Sequence, residues 1–250
     1  MTTRPKTNWP RFLLQMLGFW LVLVVFAPVL LLMLLVARPV VPPAVRVWGR
    51  AMLRMCGVRL VVDPSVQAEL QRRRRRVLTL NHTSTLDMFI SGALWQPGMV
   101  AVVKREALWV PLVGQIMYLL DFPIINRANR EQATRTLQAA AQKVRRGNLS
   151  LIISPEGTRS PTGQLGKFHL GPFHLAAQAD APIVPLLLIG TAQLWPRLQR
   201  HCNPGMVTVR LLPEQPSGAE DQSPEAMHQR AQALHDAYQA ALEQSAAQND

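Results

Sequence analysis

Residues 12–37 contain no charged side chain, an unbroken 26-residue run near the start of the chain. About 20 mostly apolar residues suffice for a helix to span a bilayer. A secretory signal would have an apolar core of about 7–15 residues ending at a small-residue cleavage site. This run is longer, and Val36-Ala37-Arg38-Pro39 is a poor cleavage site. Arg4, Lys6 and Arg11 precede the run and Arg38 follows it, so charge asymmetry does not orient it. Pro28 lies mid-run, where it can kink a spanning helix or turn the run into a re-entrant hairpin that dips into one leaflet. After a Pro-rich joint (Pro39, Pro42, Pro43), Arg46, Arg50 and Arg54 interleave with Val45, Trp48, Met52 and Met55 at helical spacing. Two readings fit that stretch: a basic amphipathic helix on an anionic membrane surface, or a packed helix with a solvated basic face. Residues 1–56 are therefore expected to form a membrane anchor followed by a basic helix.

Beyond residue 56 the pattern changes. Short β-like runs at 58–62, 77–80, 99–104, 123–125, 149–154, 183–189 and 207–212 alternate with helical periodicity. The clearest helix covers 130–146, with Leu137, Ala140, Ala141 and Val144 on one face, Asn129 as cap and Gly147 as stop. A second opens at Ser223-Pro224-Glu225 and carries Met227, Ala231, Leu234, Tyr238 and Leu242, ending near 246. Residues 214–222 read as a polar loop. Alternation of this kind predicts an α/β fold, a mixed and mostly parallel sheet flanked by helices, over 57–250.

Composition narrows the partners. Only 17% of residues are charged, against about 25% in soluble domains. The net charge is +12, which calls for an anionic partner. Aromatic content is 6%, with no basic segment interleaved with stacking rings, so nucleic acid is not expected. The five arginines 72–76 are expected either to meet anionic headgroups or to form a solvated turn. The two cysteines, Cys56 and Cys202, have neither zinc-ligand spacing nor a disulfide framework, which fits a reducing cytoplasmic setting and no metal.

Chemistry concentrates at two strand ends. The run at 77–80 leads into Asn81-His82, and Asp87 follows five positions after the histidine. Ser84-x-x-Asp87 has the form of a capping box, so a helix is expected to start near Thr85 and fold the carboxylate back towards the imidazole. A neutral imidazole can take the proton of an attacking alcohol, and an adjacent carboxylate fixes its tautomer. There is no Gly-x-Ser-x-Gly elbow to supply a serine nucleophile. The run at 149–154 ends in Pro155-Glu156-Gly157-Thr158-Arg159-Ser160. Gly157 permits close backbone approach, Arg159 offers a planar fork suited to phosphate, and Thr158 and Ser160 add hydroxyls. Glu156 is expected to orient Arg159 or to accept a bond from a substrate hydroxyl. Lys167 follows on the same loop, and Arg127 ends the short run at 123–125 as a second guanidinium for a dianion.

Together these residues resemble the glycerolipid acyltransferases, in particular the bacterial 1-acylglycerol-3-phosphate acyltransferases. The Asn-His-x-x-x-x-Asp motif is matched by Asn81, His82 and Asp87. A Lys-x-Glu-Leu region, then Pro, Gly and a strand ending in Arg, is matched by Lys104, Glu106, Pro111, Gly114 and Arg127, with Ala107 in place of Leu. The Phe-Pro-Glu-Gly-Thr-Arg-Ser motif is matched over 155–160, with Ser154 in place of Phe, and a Val-Pro step occurs at Val184-Pro185. The resemblance covers about 58–212. It implies His82 as base, Asp87 as its orienter, and Arg127, Glu156, Gly157, Thr158 and Arg159 as acceptor ligands, with Asn81, Lys104 and Lys167 in support. It further implies a fatty acyl thioester of coenzyme A or acyl carrier protein as co-substrate, a lysophospholipid acceptor, no cofactor, and an inner-membrane enzyme whose catalytic domain faces the cytoplasm. The motifs leave open glycerol 3-phosphate, another lysophospholipid or a lyso-ornithine lipid as acceptor. A non-catalytic anionic-lipid binder would account for the apolar run and the arginines but not for the two motifs.

Overall fold

The computed structural model describes residues 8–36, 41–109 and 113–247. Arg4, Lys6, Arg38, Pro39 and Pro111, on which sequence expectations rest, lie outside the described residues. In chain order the elements are α1 (Trp9–Val36), α2 (Val41–Met55), β1 (Val58–Val62), α3 (Pro64–Gln71), β2 (Arg76–Leu80), α4 (Leu86–Ala93), β3 (Met99–Ala101) and β4 (Val103–Lys104). After a 3-10 turn at Arg105–Trp109 come α5 (Val113–Leu119), β5 (Ile124–Ile125), α6 (Arg130–Gly147), β6 (Ser150–Ile153) and α7 (Gly171–Ala179). The chain continues through β7 (Ile183–Ile189), α8 (Thr191–Leu194), β8 (Gly205–Leu211) and α9 (Pro224–Ala247).

Six strands form one sheet in the order β1-β8-β7-β2-β6-β3, and β4 and β5 form a separate parallel pair. Pairing is parallel throughout the large sheet except between β7 and β8. This is the mixed, mostly parallel α/β architecture that the alternation predicts. The central strands are apolar on both faces because helices cover both. Leu78, Leu80, Ile152, Val184, Leu186 and Leu188 point to the side of α2, α3 and α4. Val77, Leu151, Ile153, Ile183 and Leu187 point to the side of α6, α7 and α9. Each such buried side chain contributes about 1.5–3 kcal/mol, so the ends of β2 and β6 emerge from a rigid base.

Helix ends follow local chemistry. Asn129 accepts from the Gln132 N–H at 2.9 Å and caps α6. The expected stop at Gly147 falls instead inside the last turn, and Asn148 takes the left-handed cap at φ 50°. Asparagine tolerates that conformation through its short polar side chain. The expected strand at 99–104 is two strands, because the chain leaves the main sheet after Ala101 to pair with β5.

The N-terminal run is one continuous helix through Pro28, not a re-entrant hairpin. It packs sideways on the domain. Gln15 is buried and exchanges two hydrogen bonds with the Cys202 backbone, at 2.9 and 2.8 Å. Phe19 and Val22 lie against the core, and Gly18 leaves room for Met55. Leu13, Leu14, Leu17, Leu21, Val24 and Val25 are exposed on the opposite side. Of the two readings of α2, the packed helix describes its apolar stripe: Met52 is fully buried, and Val45, Trp48 and Met55 pack against the same core cluster. Gly49 lets α2 approach α4 so closely that a Cβ there would collide with the backbone of Phe89 and Ala93. Pro42 and Pro43 occupy the first turn of α2, where a missing N–H costs no helical bond.

Four of the five arginines in the run form an ion-pair knot, and of these only Arg76 is buried. Arg76 is 1% exposed and meets Glu69 at 2.6 Å; Arg74 bridges Glu69 and Glu214; Arg75 meets Asp180 at 2.5 Å. Burial pushes the Glu69 carboxyl up, but hydrogen bonds and charge from Arg74 and Arg76 outweigh it and hold the group below the usual range.

Candidate active site

The parallel core strands β2 and β6 are neighbours, so the loops that follow them leave the same end of the sheet side by side. Ligand sites in open α/β sheets form at this carboxyl end. Beyond the last residue of β2, Asn81 extends the pairing with β7 through its side chain. Its Nδ2 donates to the Leu188 carbonyl at 2.9 Å and its Oδ1 accepts from the Leu188 N–H at 2.8 Å. Asn81 is thus a buried staple beneath His82. The next residues are clamped to the segment after β7. Thr83 and Thr191 share a hydroxyl hydrogen bond of 3.0 Å, and Ser84 Oγ donates to the Trp195 carbonyl at 2.8 Å.

The capping box forms and brings the pair together. Leu86 N–H donates to Ser84 Oγ at 3.1 Å, while Ser84 N–H donates to Asp87 Oδ2 at 2.9 Å. The same carboxylate oxygen lies 2.8 Å from His82 Nδ1. A carboxylate only accepts, so Nδ1 carries the hydrogen, and in the neutral imidazole Nε2 is then the nitrogen with the free lone pair. Asp87 is buried, whereas the His82 side chain is 29% exposed and can be reached from outside.

The second loop grips the first. Ser160 N–H donates to the His82 carbonyl at 2.9 Å, and Glu156 Oε1 accepts from the His82 N–H at 2.5 Å. Glu156 Oε2 accepts from the Gly166 N–H at 2.8 Å. The sequence reading gave Glu156 to Arg159 or to a substrate hydroxyl; the structure gives both its oxygens to the backbone, in a 4% exposed position. Burial pushes this carboxyl above its ordinary range; the two backbone hydrogen bonds and the nearby His82 pull the other way, and Asp87 adds to the rise. Gly157 has φ 68°, and a Cβ there would stand 3.3 Å from the His169 ring. Thr158 is exposed. Arg159 Nη1 donates to Thr85 Oγ1 at 2.5 Å, which places the guanidinium at the start of α4, beside the His82–Asp87 turn.

Lys104 ends β4 in the small β4–β5 sheet, which continues past the carboxyl end of β3, and Arg127 lies in the turn two residues beyond β5. Among the described residues no hydrogen bond or ion pair joins either to the two loops. Burial pulls the Arg127 guanidinium down, and the charge of Glu106 opposes that. Lys167 is exposed on the loop that Glu156 ties down. The sequence reading missed Thr83, Thr85 and Thr191, which bind the loops together, and Arg197, whose Nη1 donates to the Arg159 carbonyl at 3.2 Å. Thr85 has a local signal, since it lies inside the capping box. Thr191 and Arg197 have none, because their partners are distant in the chain.

A family model described as Acyltransferase matches residues 63–189, more than half of the 250. This chain belongs to the acyltransferase family. Within the family it is similar to the 1-acyl-sn-glycerol-3-phosphate acyltransferase of Limnanthes douglasii, 35% identical over 173 residues, covering 69% of this chain and 61% of the relative. The enzyme of the same name from Salmonella typhimurium is 33% identical over 154 residues, covering 62% of each chain. This acyltransferase chain therefore matches about three fifths of the length of these curated relatives. The crystal structure of the 1-acyl-sn-glycerophosphate (LPA) acyltransferase PlsC from Thermotoga maritima superposes with TM-score 0.77 at 22% identity, covering 94% of this chain and 97% of that one. The acyltransferase fold is thus shared across nearly the whole chain.

Proposed function

We propose that this chain transfers a fatty acyl group from an acyl thioester to the sn-2 hydroxyl of 1-acylglycerol 3-phosphate, forming phosphatidic acid. The observation that carries this reading is the buried Asp87 2.8 Å from His82 Nδ1, with Arg159 hydrogen-bonded to the same turn. Relatives named for this activity support the choice of acceptor.

In this reading His82 Nε2 takes the proton of the acceptor hydroxyl as the oxygen attacks the thioester carbon. Asp87 stabilises the imidazolium that forms. The tetrahedral intermediate collapses, the C–S bond breaks, and the imidazolium returns its proton to the departing thiolate. An ester and a thiol result, and the histidine is neutral again. Arg159 holds the acceptor's phosphate, while Arg127 and Lys104 add positive potential at the same end of the sheet. The thiol carrier is coenzyme A or acyl carrier protein, and no metal or cofactor takes part.

A membrane location follows from the acceptor. The window Trp9–Phe26 is long and apolar enough to cross a membrane. Its inner side packs on the domain and its outer side is exposed, which supports a helix sunk into the cytoplasmic face of the inner membrane beside the domain. The test is acyl transfer from a labelled long-chain thioester to a panel of acceptors, for wild type and His82→Ala. We expect lysophosphatidic acid to be acylated and the variant to lose about 10²-fold or more. An unimpaired His82→Ala variant would remove the mechanism, and turnover only with another lysolipid would remove the acceptor.

A further inference from the structure

We propose that Arg197 is a second ligand to the phosphate of the acceptor, working as a pair with Arg159; this rests on the acceptor reading above. Arg197 lies outside the matched family region of 63–189 and outside the motifs. The segment that carries it is nonetheless built into the site. Ser84, two residues past His82, donates to the Trp195 carbonyl at 2.8 Å and forms an isolated antiparallel bridge with Pro196. The turn is closed by Gln199 N–H to the Pro196 carbonyl at 3.0 Å and by Trp195 Nε1 to the Gln199 carbonyl at 3.0 Å. Arg197 leaves this turn and rests one guanidinium nitrogen, Nη1, on the Arg159 carbonyl. A guanidinium has five N–H donors, so the rest of the exposed fork remains available.

Charge makes the case. Arg72, Arg74, Arg75, Arg76 and Arg135 are each paired with a carboxylate. Among the described residues neither Arg159 nor Arg197 has such a partner. Glu156 gives both its oxygens to backbone N–H groups, and Asp87 is buried against His82 and Ser84. Arg197 is anchored on the backbone of Arg159, next to the motif guanidinium, and with no acid beside either one their charge is left for an anionic ligand. A phosphomonoester carries nearly two negative charges and accepts from two forks at once. The same segment reaches α1, where the Arg200 guanidinium lies 5.6 Å from the centre of the Trp9 ring. It therefore touches both the apolar helix and the turn that carries His82.

The experiment measures steady-state kinetics of wild type, Arg197→Gln and Arg197→Lys with lysophosphatidic acid and with its methyl phosphodiester, which has one charge fewer. In Arg197→Gln the acceptor KM should rise about 10-fold or more, with kcat and the donor KM changed by less than about threefold. The wild-type preference for the monoester over the diester should shrink by about fivefold or more, and Arg197→Lys should recover part of it. Equal losses with both acceptors, a fall confined to kcat, or wild-type kinetics would each overturn the assignment. If wild type acylates a different phosphate-bearing lysolipid, the proposed acceptor fails and the same KM ratio with that lipid decides Arg197. If it acylates only phosphate-free acceptors, or none, both proposals fall.

Discussion

At the scale of single residues, the site shows how a motif carboxylate can act through the backbone. Glu156 accepts from the N–H of His82 and the N–H of Gly166, so it fixes the backbone that carries the imidazole. Glu156→Gln keeps the shape but turns one acceptor oxygen into a donor against a backbone N–H. Its kcat should fall about 10-fold or more while the acceptor KM stays within about threefold. A Glu156 that bound the acceptor would instead raise KM. The spacing of His82 and Asp87 was readable because a capping box is a local device, complete within four residues from Ser84 to Asp87. The partners of Glu156, Asn81 and Arg197 were not readable. They are backbone groups of His82, Leu188 and Arg159, which sequence pattern does not distinguish from any other backbone.

At the scale of elements, the most constrained junctions are the start of β2 and the contact of α2 with α4. Glu69 ends α3 inside the arginine knot, and its folded carboxyl is held below the ordinary value of about 4.3 by Arg74 and Arg76. A depressed carboxyl contributes stability that is present above the unfolded pKa and lost as pH falls through the folded one. Thermal melts should therefore show stability falling below about pH 4.3 in the wild type, with a flatter acid limb in Glu69→Gln. At pH 7 that variant should be less stable by about 3 kcal/mol, because Arg76 keeps a buried charge with its partner weakened. Gly49→Ala should cost about 1–3 kcal/mol in denaturant titrations, since α2 cannot move off α4 without opening the core. Capped, amphipathic helices such as α6 and α9 were legible along the chain. Helix α7 was not: Pro172, Phe173, Leu175, Ala176, Ala177 and Ala179 are all buried, and its polar stripe is only His174 and Gln178, too short to reveal a 3.6-residue period.

At the scale of the whole molecule, the two ends of the sheet have different tasks. The carboxyl ends of β2 and β6 carry the candidate site, and the opposite end holds the paired arginines. The exposed side of α1 is an apolar surface, and the proposed membrane location predicts that a bilayer meets the domain there. Replacing Leu14, Leu17 and Leu21 together by Gln should abolish co-flotation with anionic vesicles. These side chains are exposed, so the melting temperature in detergent should barely change. Loss of flotation together with loss of folding would instead mean that α1 is part of the core.

The sequence alone determined the α/β class, the apolar N-terminal helix, the two motif loops and the pairing of His82 with Asp87. Each of these depends on periodicity, on a cap or on residues a few positions apart. Only the tertiary structure decided that four of the five consecutive arginines close on Glu69, Glu214 and Asp180, that Glu156 supports the backbone of His82, and that Arg197 rests on Arg159. Those contacts join segments that the sheet order places side by side. A parallel sheet reorders its strands through crossovers, so neighbours in space need not be neighbours in the chain.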